Sequence, residues 1–306
     1  MTRPKIRRFE QTRNLLNPAD IATLVYLLVT LIYILISLER IPHPGYHIWT
    51  RIIMISVMGM LIYAPEKYNS PLLKFLRDLY PLLFLAFFFN ETDAINNIFF
   101  ANFDPWLANA DKHIFGFMPS EVLSKRWPQP WISELLYFGY FSFYLIIIFF
   151  VFGYYYFLPE LFPSRFFIFL QSFYLFYLIF ILFPSAGPQY FITGPGTEVI
   201  PQGTIGRMVH MILRLGDRPT GAFPSSHIGM TWLIMFIFAM DKKRWFIIWL
   251  VPALLLTLGT VYIRAHYAVD VIGGLVTAVF LYYTGLYIAK SFIPLHTPPD
   301  SIPVQE

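Results

Sequence analysis

Two histidines and an aspartate stand out by type and spacing: His227, His266 and Asp270. His227 closes the run Phe223-Pro224-Ser225-Ser226-His227, and His266 opens the run His266-Tyr267-Ala268-Val269-Asp270. Arg264 stands just before His266, and Arg218 stands upstream of His227. A neutral imidazole is a good nucleophile towards phosphorus. A carboxylate at its other ring nitrogen fixes the tautomer and steadies the charged phosphoimidazole. A second imidazole, with an ordinary pKa of about 6.5, can protonate the leaving oxygen. Arginines clamp phosphoryl oxygens through paired hydrogen bonds. Ser225 and Ser226, where a helix is expected to begin, add hydroxyls and backbone N–H groups as an anion site. Together these residues suit phosphoryl transfer through a covalent intermediate, with no cofactor and no metal. The rival is a zinc site made of the same two histidines and aspartate. It lacks a His-Glu-x-x-His run and an evident third strong ligand.

These residues need elements that bring them together. His227 and His266 are 39 residues apart, separated by an apolar run, the basic knot Lys242-Lys243-Arg244 and a second apolar run. A transmembrane helix takes ~20 residues at about 1.5 Å each. Two helices and a turn use up that separation and return His266 to the side where His227 began. Asp270 follows four residues after His266, so on a helix the two share a face. Taken singly, an interfacial histidine or a snorkelling arginine needs no function. Their convergence at one membrane surface points to a site.

The whole chain agrees with a membrane setting. It has 306 residues, of which 57% are hydrophobic and only 13% charged, with a mean hydropathy of +0.58. Soluble domains carry roughly 25% charged residues. The expected fold is all-α, a polytopic integral membrane bundle of about eight transmembrane helices, and no alternating outer-membrane strand pattern occurs. The net charge of +4 sits mostly in short flanks, which reads as topology and not as nucleic-acid binding. There are no cysteines, so thiol catalysis and iron–sulfur clusters are excluded. No cleavable signal peptide is expected.

The expected segments are a basic cytoplasmic arm over 1–20, N-terminal transmembrane helices over 21–100, an interfacial segment over 101–131, a catalytic transmembrane core over 132–290, and a disordered tail over 291–306. Within them the spans fall near 21–38, 47–63, 79–89 with a blurred end at Asn90-Glu91-Thr92-Asp93, 132–157, 166–183, 226–240, 245–262 and 271–288. Residues 65–77 read as a polar cytoplasmic loop, and residues 184–224 as a long Gly- and Pro-rich connection of functional character. Eight spans place the basic arm and the basic knot on the cytoplasmic side. The histidine side then faces outward from the cytoplasm, with the cell membrane the expected location.

Phe223-Pro224-Ser225-Ser226-His227 and His266-Tyr267-Ala268-Val269-Asp270 resemble the second and third motifs of the type 2 phosphatidic acid phosphatase superfamily. The branch is similar to inositol phosphorylceramide synthases. The resemblance covers roughly 166–288 and implies a six-helix-type phosphatase core. It implies His266 as nucleophile, Asp270 as its orienting partner, His227 as general acid and Ser225 as a phosphate contact. The chain departs from the family pattern in two places. Met211 stands where the first motif has its lysine, although Arg218-Pro219 follows, and Thr260 stands where the third motif has its arginine. Arg264 is therefore expected to act as the phosphate clamp, with Arg218 second. Pro184-Ser185-Ala186-Gly187-Pro188-Gln189-Tyr190 is a candidate for the first motif's place.

The expected function is a membrane enzyme acting on a lipid-linked phosphate, as phosphatase or as phosphotransferase. Its expected partners are that substrate and membrane lipids, with no nucleic acid and no obligate protein partner. The alternative is a transporter or channel, which predicts charged or broken helices at mid-membrane.

Overall fold

The computed structural model describes residues 16–193, 203–216 and 218–292. Most of the basic arm and nearly all of the expected tail lie outside the described residues, as does Asp217. Among the described residues every regular element is a helix. In chain order they are α1 (Pro18–Ile36), α2 (Pro44–Tyr68), α3 (Pro71–Ile95), α4 (Asp104–Phe115), α5 (Pro119–Arg126), α6 (Pro130–Phe157), α7 (Phe162–Leu182), α8 (Pro188–Phe191), α9 (Thr204–Gly216), α10 (Ser226–Asp241), α11 (Lys243–Tyr262) and α12 (Ala268–Phe292).

Six of these helices, α1, α2, α6, α7, α11 and α12, are long and apolar enough to cross a membrane. The other two expected spans differ for separate reasons. The third is a longer helix than expected, running from Pro71 to Ile95, and it carries Lys74, Arg77, Asp78, Glu91 and Asp93. The sixth, α10, is apolar but only 16 residues long, about 24 Å at the helical rise. The expected loop over 65–77 is mostly helix. Pro65 lies inside α2, the chain breaks only at Asn69 and Ser70, and the Ser70 hydroxyl caps α3. The polar end of the third span does not fray, because Glu91 finds partners on α2.

Helix α10 packs on both α11 and α12, with α6 along α11 and α7 against α10 and α12. The short α10 is apolar on nearly all sides and buried among these neighbours. Gly274 on α12 permits a close approach to α10. A Cβ there would lie 2.6 Å from the Ser225 carbonyl oxygen and 3.0 Å from Ile228 Cβ. On the outer side of α7, α1 and α3 complete the bundle. Asp20 joins these two helices. It pairs with Arg77 and accepts the Tyr80 hydroxyl at 2.8 Å.

The segment expected at the interface holds α4 and α5, which lie against α12 and α11 respectively. The long connection over 184–224 is not all loop. It contains α8 and the amphipathic α9, which packs on α6. The Glu134 carboxylate of α6 accepts the Ile205 and Gly206 N–H groups at the start of α9, at 3.0 and 2.8 Å.

Candidate active site

His227 stands in the first turn of α10, where Ser225 is the N-cap. The Ser225 hydroxyl accepts the Ile228 N–H at 3.3 Å, and Ser225 is fully buried. The antiparallel pair α10–α11 then returns the chain to the same end. His266 sits in the turn between α11 and α12, its N–H bonded to the Thr260 carbonyl at 3.1 Å. His227 Nδ1 and His266 Nε2 are 3.1 Å apart.

The proton positions follow from one acceptor. The Ala222 carbonyl can only accept, and it lies 2.9 Å from His266 Nδ1. Neutral His266 therefore carries its proton on Nδ1 and a lone pair on Nε2. His227 must then donate from Nδ1, which leaves its Nε2 as acceptor for the Tyr140 hydroxyl at 3.0 Å. Tyr140 of α6 is buried, and its ring lies beside that of His227. The result is a chain of hydrogen bonds from Tyr140 through both imidazoles to the Ala222 carbonyl.

Asp270 is fully buried in the first turn of α12. The spacing argument treated His266 and Asp270 as neighbours on one helix. Instead α12 begins at Ala268, and His266 precedes it. The carboxylate still lies 3.4 Å from His266 Nδ1, behind the nearer Ala222 carbonyl. Its Oδ2 accepts the Tyr267 N–H at 2.8 Å. The Asp270 carbonyl accepts the Ser225 N–H at 3.1 Å, which ties the starts of α10 and α12 together.

Arg264 lies in the same turn with φ at 64°, in the left-handed region that non-glycine residues seldom occupy. Several bonds hold it there. Its N–H donates to the Val261 carbonyl, its carbonyl accepts the Gln189 N–H of α8, and its Nε donates to the Ser120 carbonyl of α5 at 3.0 Å. Only 3% of Arg264 is exposed. Burial lowers its pKa, with Glu121 opposing the shift. Gly187, the residue before α8, has φ at 96°, and a Cβ there would lie 2.9 Å from the Ala265 carbonyl oxygen. The Pro184–Tyr190 stretch is thus placed directly against the turn that bears Arg264 and His266.

Arg218 is not brought into this cluster. It is exposed, and its Nε donates to Asn90 of α3 at 3.0 Å. Ser226 opens α10 and is buried. Among the described residues no group of three metal-ligating side chains converges.

Three supporting groups are not among the candidate site residues that the sequence offered, and the two aspartates among them read there only as part of the interfacial segment. Asp104 of α4 accepts the Ala186 and Gly187 N–H groups at 2.6 and 2.8 Å and the Tyr267 hydroxyl at 2.9 Å. Asp111, two turns along α4, accepts the Ala268 and Val269 N–H groups at 3.0 and 2.9 Å. Burial raises the Asp111 pKa, and these two bonds pull it back. The seven-residue spacing of the two aspartates was a readable signal, since it puts both on one helix face. Tyr140, one of 20 tyrosines, carried none.

Fold and site together define a multi-pass helical membrane protein whose paired histidines sit where three helices begin and end. The chain belongs to the PAP2 superfamily, whose family model matches residues 105–284, more than half of its length. Members of this superfamily are membrane phosphatases and phosphotransferases. The match begins in α4 and ends within α12, so α1–α3 lie outside it. No curated protein and no solved structure matches the chain.

Proposed function

We propose that the chain is a lipid-phosphate phosphatase or phosphotransferase that works through a phosphohistidine on His266, at the non-cytoplasmic face of its membrane. The contact between His227 Nδ1 and the unprotonated Nε2 of His266 carries this proposal. A phosphoryl group entering between the rings replaces that contact. As the phosphate anion enters, His227 takes a proton from water at Nε2; His266 Nε2 then forms the P–N bond while the P–O bond to the leaving group breaks, and His227 gives the leaving oxygen its Nδ1 proton. The Tyr140 hydroxyl turns from donor to acceptor as His227 Nε2 gains its proton. The Ala222 carbonyl and Asp270 steady the positive charge on the phosphorylated ring. Arg264 and the start of α10 with Ser225 and Ser226 neutralise the phosphoryl oxygens. In the second half His227 takes a proton from the attacking group, which restores His266. Water as attacker gives a phosphatase, and an alcohol gives a transferase. Resemblance to the inositol phosphorylceramide synthase branch supports a hydroxyl-bearing lipid as the acceptor in the second case.

The test is an assay of the purified protein with phosphatidic acid, a polyprenyl diphosphate, and a phospholipid donor with ceramide as acceptor. The expected outcome is phosphate release or headgroup transfer that survives EDTA and disappears in His266→Ala. Inactivity on all three, or EDTA inactivation reversed by zinc or magnesium, would tell against the proposal.

A further inference from the structure

The α2–α3 pair, outside the family match, holds a charge cluster that the phosphoryl chemistry does not use. Arg51 of α2 is fully buried. Glu91 of α3 accepts from Arg51 Nη1 and lies 2.6 Å from His47 Nδ1. Arg51 Nη1 also reaches the His47 carbonyl at 3.3 Å. Arg51 Nε and Nη2 have no hydrogen-bond partner among the described residues. These two donors form one edge of the planar guanidinium, the edge that meets a carboxylate or phosphate side-on with two parallel bonds. Arg165 uses that same edge in this molecule, with Nε and Nη2 at 2.6 and 2.7 Å from the two carboxylate oxygens of Asp241. A guanidinium inside a membrane helix with this edge unmet is strongly unfavourable.

His47 belongs both to this cluster and to the lining of an open cavity, which Arg51 and Glu91 do not themselves line. The cavity measures about 690 Å³ and is lined by Pro42, His43, Gly45, Tyr46, His47 and Ala94. Tyr46, Trp49 and Ile53 on the same stretch of α2 are exposed, as a lipid-facing surface would be. This is also the end of the bundle that carries the histidine pair. Asn96, just past α3, donates to Thr220 at 2.8 Å, shortly before His227 in the chain.

We propose that this cavity and Arg51 form a second binding site, separate from the histidines, for the oxyanionic headgroup of a membrane amphiphile. Two headgroup oxygens, of a phosphate or a carboxylate, pass from the cavity beyond His47 and take the buried Nε–Nη2 edge of Arg51, so that binding displaces the cavity wall at His47. The hydrocarbon tail leaves along the exposed face of α2. Glu91 meets Arg51 through Nη1 alone, so the two donors of the Nε–Nη2 edge are left for the entering anion.

The test uses the full chain carrying His266→Ala, so that turnover does not enter. Native mass spectrometry counts bound short-chain phosphatidic acid, decanoate and inorganic phosphate in this background and in two further variants. Arg51→Lys keeps a charge beside Glu91 and removes the fork. Gly45→Trp fills the cavity from a position with no atom within 4 Å of its Cβ, and it decides the matter should the lysine variant fail to fold. The expected result is one fewer equivalent of phosphatidic acid or decanoate, or at least tenfold weaker binding. Loss of inorganic phosphate alongside the lipid agrees with this. Loss of inorganic phosphate alone would overturn the amphiphile, and unchanged binding of all three would overturn the site. Both sets of proteins lack His266, so a failure of the phosphohistidine chemistry would not alter the comparison.

Discussion

At the scale of single residues, the site depends on which nitrogen holds which proton, and the Ala222 carbonyl decides that. Tyr140 follows as a positioning residue acting through His227. Tyr140→Phe removes one neutral hydrogen bond, worth ~0.5–1.5 kcal/mol, so kcat should fall about two- to tenfold with little change in KM. His227→Ala should cost about 10²–10⁴ in rate, the usual worth of a general acid. If Tyr140 acts through His227, adding Tyr140→Phe to His227→Ala changes nothing further. A full additional loss in a double-mutant cycle would assign Tyr140 to packing instead. Arg264 raises a different question. A headgroup anchor would be exposed and would accept lysine, whereas Arg264 is buried and bonded to Ser120. Arg264→Lys should lower kcat/KM by about 10²-fold, as loss of an oxyanion donor does, and should weaken inhibition by inorganic phosphate. Near-normal turnover and unchanged phosphate inhibition would remove Arg264 from the clamp. The sequence pointed to His227, His266 and Asp270 because their types are rare in an apolar chain. Tyr140 and the Ala222 carbonyl were unreadable, since neither a tyrosine among many nor a backbone oxygen has a spacing pattern.

At the scale of elements, His266, the proposed nucleophile, is held by the geometry of one turn. That turn joins α11 to α12 and is gripped from α4, α5 and α8. Asp111 supplies acceptors for two N–H groups at the start of α12, a tertiary version of a helix cap. Asp111→Ala strands both donors, at ~1–3 kcal/mol. The thermal midpoint should then fall by several degrees at about 2–4 °C per kcal/mol. Activity should fall with it, because His266 and Asp270 flank the capped residues. Asp111→Asn keeps one acceptor oxygen and should recover most of both. An alanine variant with unchanged midpoint and rate would show that α4 does not position the nucleophile. The apolar runs gave α1, α2, α6, α7, α11 and α12 to within a few residues, because a lipid-facing helix must be long and apolar. The helical character of 65–77 was hidden because charges there read as loop. Lys74 is bonded to Asn69, and Arg77 is paired with Asp20 on α1. The helix α9 was hidden because the glycines and prolines around it read as loop, although Ile205, Val209 and Leu213 pack it on α6.

At the scale of the whole molecule, the proposed chemistry depends on two segments 39 residues apart meeting at one end of the bundle. Counting crossings was enough to place the two histidines together, because helix length and membrane thickness leave little freedom. The α1–α3 part was not legible in the same way. Its charges pair across helices, Asp20 with Arg77 and Glu91 with Arg51, and such pairs have no fixed sequence separation. The protein thus divides into a matched half that carries the histidine site and an N-terminal group of helices with its own buried charges. The most direct measurement of the central claim is a rapid-quench experiment with ³²P-labelled phosphatidic acid. It should trap label in an acid-labile, base-stable bond on the intact protein, and peptide mapping should place it on His266. His266→Ala should carry no label. His227→Ala, slowed in both halves, should still acquire it from a substrate with a good leaving group. Label that persists in His266→Ala, or turnover by the intact protein with no trappable label, would contradict the account.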